Sequence, residues 1–129
     1  VVSSGAVQLD VEASVVHIGL PYTCDIETLP LAVEGAAAFG QGMVKNVNKA
    51  LLRVYESSGI KVGPSFDKLV EFKQRTTEPY GSPPALYTGI VPITLTPTWQ
   101  QDGSICLRQP DPLPVTLLAT TLEVAMGGS

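Results

Sequence analysis

The stretch MVKNVNKALLRVYE, residues 43–56, decides the fold class, because it carries two periodicities at once. Wound as a helix, it places Met43, Val44, Val47, Ala50, Leu51, Val54 and Tyr55 on one face. Lys45, Lys49, Arg53 and Glu56 take the other face, only Leu52 is out of place, and Gly59 stands ready as a C-cap. Drawn out as a strand, it turns Ala50, Leu52 and Val54 inward and Lys49, Leu51, Arg53 and Tyr55 outward. Over so short a range, spacing alone admits both.

The flanks favour strands. Ser57-Ser58-Gly59 reads as a turn, Ile60 and Val62 alternate with Lys61, and Gly63-Pro64 breaks the run. Leu69, Val70 and Phe72 suggest a further short strand. Residues 87–98 are rich in β formers, with Pro92 and Pro97 marking an edge or a bulge. Asp102-Gly103 predicts a tight hairpin joining the strand at 90–99 to one at 105–108. Residues 115–126 close the chain as a last β-rich run. Toward the amino end, Val7, Leu9 and Val11 alternate with Gln8, Asp10 and Glu12, which predicts a half-buried strand. The β-branched run Val15, Val16, His17, Ile18 and Leu20 predicts a second strand from about 14 to 20. The small-residue segment 34–42 and the proline-rich segment 76–84 read as loops.

A chain of 129 residues builds one core. Its 12 glycines and 11 prolines are scattered evenly, so many short elements are expected in place of a few long helices. Six to eight short strands, with turn signals every 8–12 residues and no longer repeat, predict a single all-β domain over residues 1–129. The expected form is an antiparallel sandwich or barrel with long Pro/Gly loops; a short helix around 43–56 is the alternative.

The net charge is −4, unevenly spread. Residues 1–44 hold Asp10, Glu12, Asp25, Glu27 and Glu34 and no base. Seven of the eight basic residues, Lys45, Lys49, Arg53, Lys61, Lys68, Lys73 and Arg75, fall within residues 45–75. Such a segment meets either phosphate or acidic protein, and an acidic chain favours protein. Lys45, Lys49, Arg53 and Lys61 are therefore the candidate subunit-interface residues.

Sequence motifs offer little for chemistry. The chain has one histidine, His17, set within a strand-like run, and it lacks phosphate-loop, dinucleotide, zinc-protease and nucleophile-elbow patterns. Asp25 and Glu27 form an isolated carboxylate pair. Cys24 and Cys106 are too few for a disulfide scaffold and are expected as free thiols. No catalytic residue, cofactor or metal is expected, and the chain is read as a non-enzyme. No apolar run approaches the roughly 20 residues of a membrane helix, and no membrane partner is expected.

Three stretches, taken in order, carry a family likeness: VHIGLPYTCDIETLPL at 16–31, KNVNKALLRVYESSGIKVGP at 45–64, and SICLRQPDPLPVTLLATTLEVAMGG at 104–128. Together they resemble the C-terminal part of the tail nozzle, or packaged-DNA-stabilising, proteins of short-tailed bacteriophages. Those proteins carry similar GLPY…ETL, LRLY-S-GLKVGP and RQ-DPLPLTVLA signatures and end on a glycine pair like Gly127-Gly128. Similar sequences place a polar residue where this chain has Leu51, which removes the helical stripe, so a strand is expected at 47–56. The resemblance implies a structural virion protein of the tail, assembled in the host cytoplasm, whose larger part precedes Val1. It implies copies arranged in a ring, hexameric by analogy, that retains and conducts the genome. Neighbouring tail proteins (adaptor, fibre or needle) would be its partners, with passive contact to DNA in the channel. Beyond the family, an acidic first third facing the basic middle of the next copy would give a ring its head-to-tail complementarity. Two other classes compete. A carbohydrate- or receptor-binding sandwich on a virion or cell surface would cluster exposed aromatics on one loop face. A small hydrolase would need a constellation that the motifs do not supply.

Overall fold

Residues 45–57 form one long strand, and the domain is built on it. The computed structural model describes residues 2–33, 42–74, 78–79, 82 and 85–127. The loops expected at 34–42 and 76–84 lie mostly outside the described residues. In chain order the strands are β1 (Val2–Ser3), β2 (Ala6–Val7), β3 (Cys24–Glu27), β4 (Lys45–Ser57), β5 (Lys61–Gly63), β6 (Val70–Glu71), β7 (Tyr87–Thr94), β8 (Cys106–Gln109) and β9 (Leu117–Met126). They make an antiparallel sheet ordered β7-β4-β9, a second ordered β3-β8-β5-β6, and the small β1-β2 ribbon. The described residues contain no helix, so the fold is all-β.

Strand geometry wins at 45–57 because β4 is paired along both edges. Leu52 sits opposite Val91 of β7 and Thr120 of β9, and Ala50 opposite Ile93 and Leu122. These pairings satisfy backbone groups on both sides of the strand and bury alternate side chains. Ala50, Leu52 and Val54 are 0% exposed, whereas Arg53 and Tyr55 are exposed and Leu51 is half-buried. A helix would have buried Leu51 and exposed Leu52, the reverse of what is found. Near its end β4 is irregular: the register with β7 shifts between Val54 and Ser57, where Glu56 has a φ of 40°. The Glu56 N–H, displaced from the ladder, donates to Thr88 Oγ1 at 3.0 Å.

The two sheets pack through one cluster: Val47, Ala50, Leu52 and Val54 of β4 and Val91 and Ile93 of β7 against Val62 of β5 and Leu107 of β8, with Ile60, Leu95 and Ile105 between them. In the second sheet Ile26, Leu107, Val62 and Val70 form one cross-strand row, which puts the apolar side of four strands on the same face. Pro92 lies on β7, an edge strand, where a missing N–H is tolerated.

Two sequence expectations are corrected. Asp102-Gly103 does not close a hairpin, because β7 and β8 belong to different sheets. The dipeptide sets a local turn, and Gly103 has the expected positive φ, 62°. What it turns is a crossover between sheets. The carbonyls there tie down other segments: Asp102 O accepts from the Leu31 N–H at 2.8 Å, and Gln101 O accepts from Lys45 Nζ at 2.5 Å. Turn chemistry is local, whereas the choice of flanking strand is made by which side chains must face the core.

The strands expected over 7–11 and 14–20 do not form either. Only Ala6–Val7 pairs, with Val2–Ser3, and residues 8–23 belong to no strand. Val15, Ile18 and Leu20 are 71%, 73% and 87% exposed. Strand formers become a strand only beside another strand, and this arm has none within the described chain. Its root is anchored, since Tyr22 Oη donates to Leu113 O at 3.2 Å and Gly19 packs against Pro112.

Candidate functional site

The four basic residues picked out in the sequence do not share one surface. Lys45, at the start of β4, is 1% exposed. Its Nζ donates to Met43 O at 3.2 Å and to Gln101 O at 2.5 Å, so its ammonium is satisfied by carbonyls inside the domain. Gly103 makes room for it, since a Cβ there would lie 3.0 Å from Lys45 Cδ. Lys45 therefore holds the sheet crossover in place and presents no charge to a neighbour.

Lys49 and Arg53 are placed differently. Both point away from the core on the outer face of the β7-β4-β9 sheet. Lys49 stands opposite Thr94 and Glu123, Leu51 opposite Pro92 and Thr121, and Arg53 opposite Ile90 and Ala119. Leu51, Arg53, Ile90, Ala119 and Thr121 line a shallow depression of about 200 Å³. This face mixes two cations with small and apolar side chains, a composition suited to contact with protein.

Lys61 lies on the outer face of the other sheet. Cross-strand pairing sets Asp25, Arg108, Lys61 and Glu71 in one row over β3, β8, β5 and β6. Arg108 bonds Asp25 with both arms of its fork, Nε to Oδ1 at 2.7 Å and Nη2 to Oδ2 at 2.9 Å. Its guanidinium also lies 4.7 Å from the centre of the Phe66 ring. The hydrogen bonds from Arg108 hold the Asp25 carboxyl below its ordinary range, and the same bonds raise Arg108. Asp25, one of the isolated carboxylate pair in the sequence, is thus engaged by a cation 83 positions away, a pairing that no local motif announces.

Cys24 and Cys106 are free thiols on adjacent strands, with Cys24 exposed and Cys106 buried. They stand at opposite ends of the β3–β8 ladder, opposite Gln109 and Glu27 respectively. Burial, followed by the nearby carboxylates of Glu27 and Asp25, pushes the Cys106 thiol up and keeps it protonated. Among the described residues, no three His, Cys, Asp or Glu side chains are grouped to hold a metal ion. Among the described residues there is no helix long and apolar enough to cross a membrane. His17 and Trp99 are both exposed, Trp99 at 56%, with its ring against Gly127.

One feature escaped sequence reasoning. A groove of about 660 Å³ runs between the segment Leu31, Ala32, Val33 and strand β9. Thr120, Leu122 and Val124 line it from the inner side of β9, and Thr121 from the outer side. The groove therefore follows the edge of β9 that no described strand pairs. Leu122 and Val124 pack on the core yet remain half-buried.

Compared with known proteins, the chain matches no family model and no curated sequence.

Proposed function

We propose that the domain is a structural building block of a bacteriophage tail nozzle, assembling with copies of itself into a ring around the path of the genome. The observation that carries this reading is the ordered set of three motifs spanning residues 16–128. Each motif serves the framework. The second contributes β4 and β5, and the third contributes β8 and β9. The first contributes the exposed arm and β3. A scaffold for assembly needs rigid sheets and surfaces that are incomplete alone. The domain offers both: a two-sheet core, an exposed apolar arm and a sheet edge unpaired among the described residues. The outer face carrying Lys49 and Arg53 would meet an acidic surface of the next copy, a heterologous contact of the kind that closes rings. Passive lining of the DNA path, and contacts with adaptor, fibre or needle proteins, belong to the same proposal.

The test is location. Antibody raised against this domain, coupled to gold, should mark the tail tip of virions that carry the chain. Label confined to the capsid, or absent from intact particles, would overturn the proposal.

A further inference from the structure

The arm and the β9 edge are complementary. Residues 7–15 alternate without a break: Val7, Leu9, Val11, Ala13 and Val15 on one side, and Gln8, Asp10, Glu12 and Ser14 on the other. This is the pattern of a strand with one buried and one solvated face. In the chain the apolar side joins no core, for Val7 is 39%, Leu9 44%, Val11 58% and Val15 71% exposed. Strand β9, for its part, is a ten-residue strand that, among the described residues, is paired on one side only, by β4. Long free edges of this kind are ordinarily protected by a charge, a proline or a covering segment. Between Leu117 and Met126 the only charge is Glu123, and there is no proline.

We infer that the arm of one copy adds as a strand to the free edge of β9 in a second copy, completing its sheet and filling the groove beside Leu31. This deepens the reading of the domain as a self-assembling ring component and rests on it. Three matches support a second copy of this chain as the occupant. Length matches, with nine alternating residues set against a ten-residue edge. Side-chain character matches as well. With backbone paired to β9, the odd-numbered residues enter the groove against Leu122, Val124 and Leu31, and the even-numbered ones share the outer face. Finally, the charges agree. Asp10 and Glu12 would then lie on the face that carries Lys49 and Arg53, two strands or about 10 Å away, within reach of long basic side chains. Strand addition also supplies the partner that the arm's β-branched residues lack at home.

The test uses the full chain and a Leu9→Asp/Val11→Asp double variant. Both side chains are exposed, so the variant should melt like the parent. Sedimentation velocity over a concentration series should show self-association by the parent and a monomeric variant. A fluorescent peptide of residues 7–20 should bind the variant, whose own arm no longer competes, and should slow amide exchange along β9. The same peptide with both aspartates should bind about 100-fold more weakly or worse, from two apolar side chains lost from the groove. Association that survives the double variant overturns the arm while leaving ring assembly standing. Peptide binding without protection of β9 overturns the docking site. A parent that stays monomeric while its variant binds the peptide means that the arm closes on its own body, and the exchange between copies is refuted.

Discussion

Leu52 and Leu51 are neighbours with opposite fates, and replacing each by alanine separates the strand from the helix that the same sequence could form. Leu52 is 0% exposed, between Val91 on one side and Thr120 on the other. Alanine removes three carbons, about 2.4 kcal/mol of transfer free energy at ~0.8 kcal/mol per buried methylene. The cavity left in a core closed by two sheets raises the total to about 3–5 kcal/mol. A domain of this size has roughly 5–15 kcal/mol of stability to lose, so Leu52→Ala should fold but melt far earlier. Leu51 lies half-buried on the outer face between Pro92 and Thr121, so Leu51→Ala should cost about 1 kcal/mol or less. Urea unfolding followed by tryptophan fluorescence measures both, through Trp99. The midpoints should move and the slopes should not, since neither change alters the surface exposed on unfolding. Equal losses, or a larger loss at Leu51, would refute the inward parity of Ala50, Leu52 and Val54 and restore the helix.

Four further outcomes follow from these contacts and placements. Gly103→Ala should destabilise by about 2 kcal/mol or more in the same assay, since the left-handed backbone and the neighbouring Lys45 both resist a Cβ; a change under about 0.5 kcal/mol would contradict this. Lys45→Glu should abolish folding, seen by circular dichroism, because it buries a carboxylate against two carbonyl oxygens. Lys49→Glu/Arg53→Glu should instead leave the melt intact and weaken assembly in a salt-dependent way, and normal assembly would remove this face from the interface. Asp25 has its carboxyl depressed by Arg108, so its contribution is present above the ordinary carboxylate range and is lost as pH falls through the lowered folded-state value. Asp25→Asn should therefore melt below the parent at neutral pH, and the two curves should converge in strong acid; a gap independent of pH would refute the ion pair as its source.

What could be read from the sequence was set by range. Strands β5, β6, β7 and β9 follow from alternation and β-branched content near Val62, Val70, Val91 and Leu122, because half-burial on a sheet leaves a period of two. β4 needed more than its own residues, since Leu51 gives it a helical stripe that only pairing along both edges overrides. Asp102-Gly103 shows the opposite limit. The glycine's positive φ was legible, but which strands it joins depends on the division into two sheets. The arm was misread for an instructive reason: its alternation is real, and its partner strand is missing from the described chain. For the candidate interface, spacing put Lys49 and Arg53 on one outer face. It could not show that Lys45 turns inward to Gln101, or that Lys61 lies on the opposite sheet beside Arg108.

Ring assembly is the central claim, and images of the assembly test it most directly. Class averages from negatively stained tails of particles carrying this chain, with the domain marked by a bound antibody fragment, should show a closed ring with an axial channel. One fragment should mark each copy around it, six by analogy with the resembled proteins. A single fragment per tail, or a domain found free of any rotationally symmetric ring, would contradict the account.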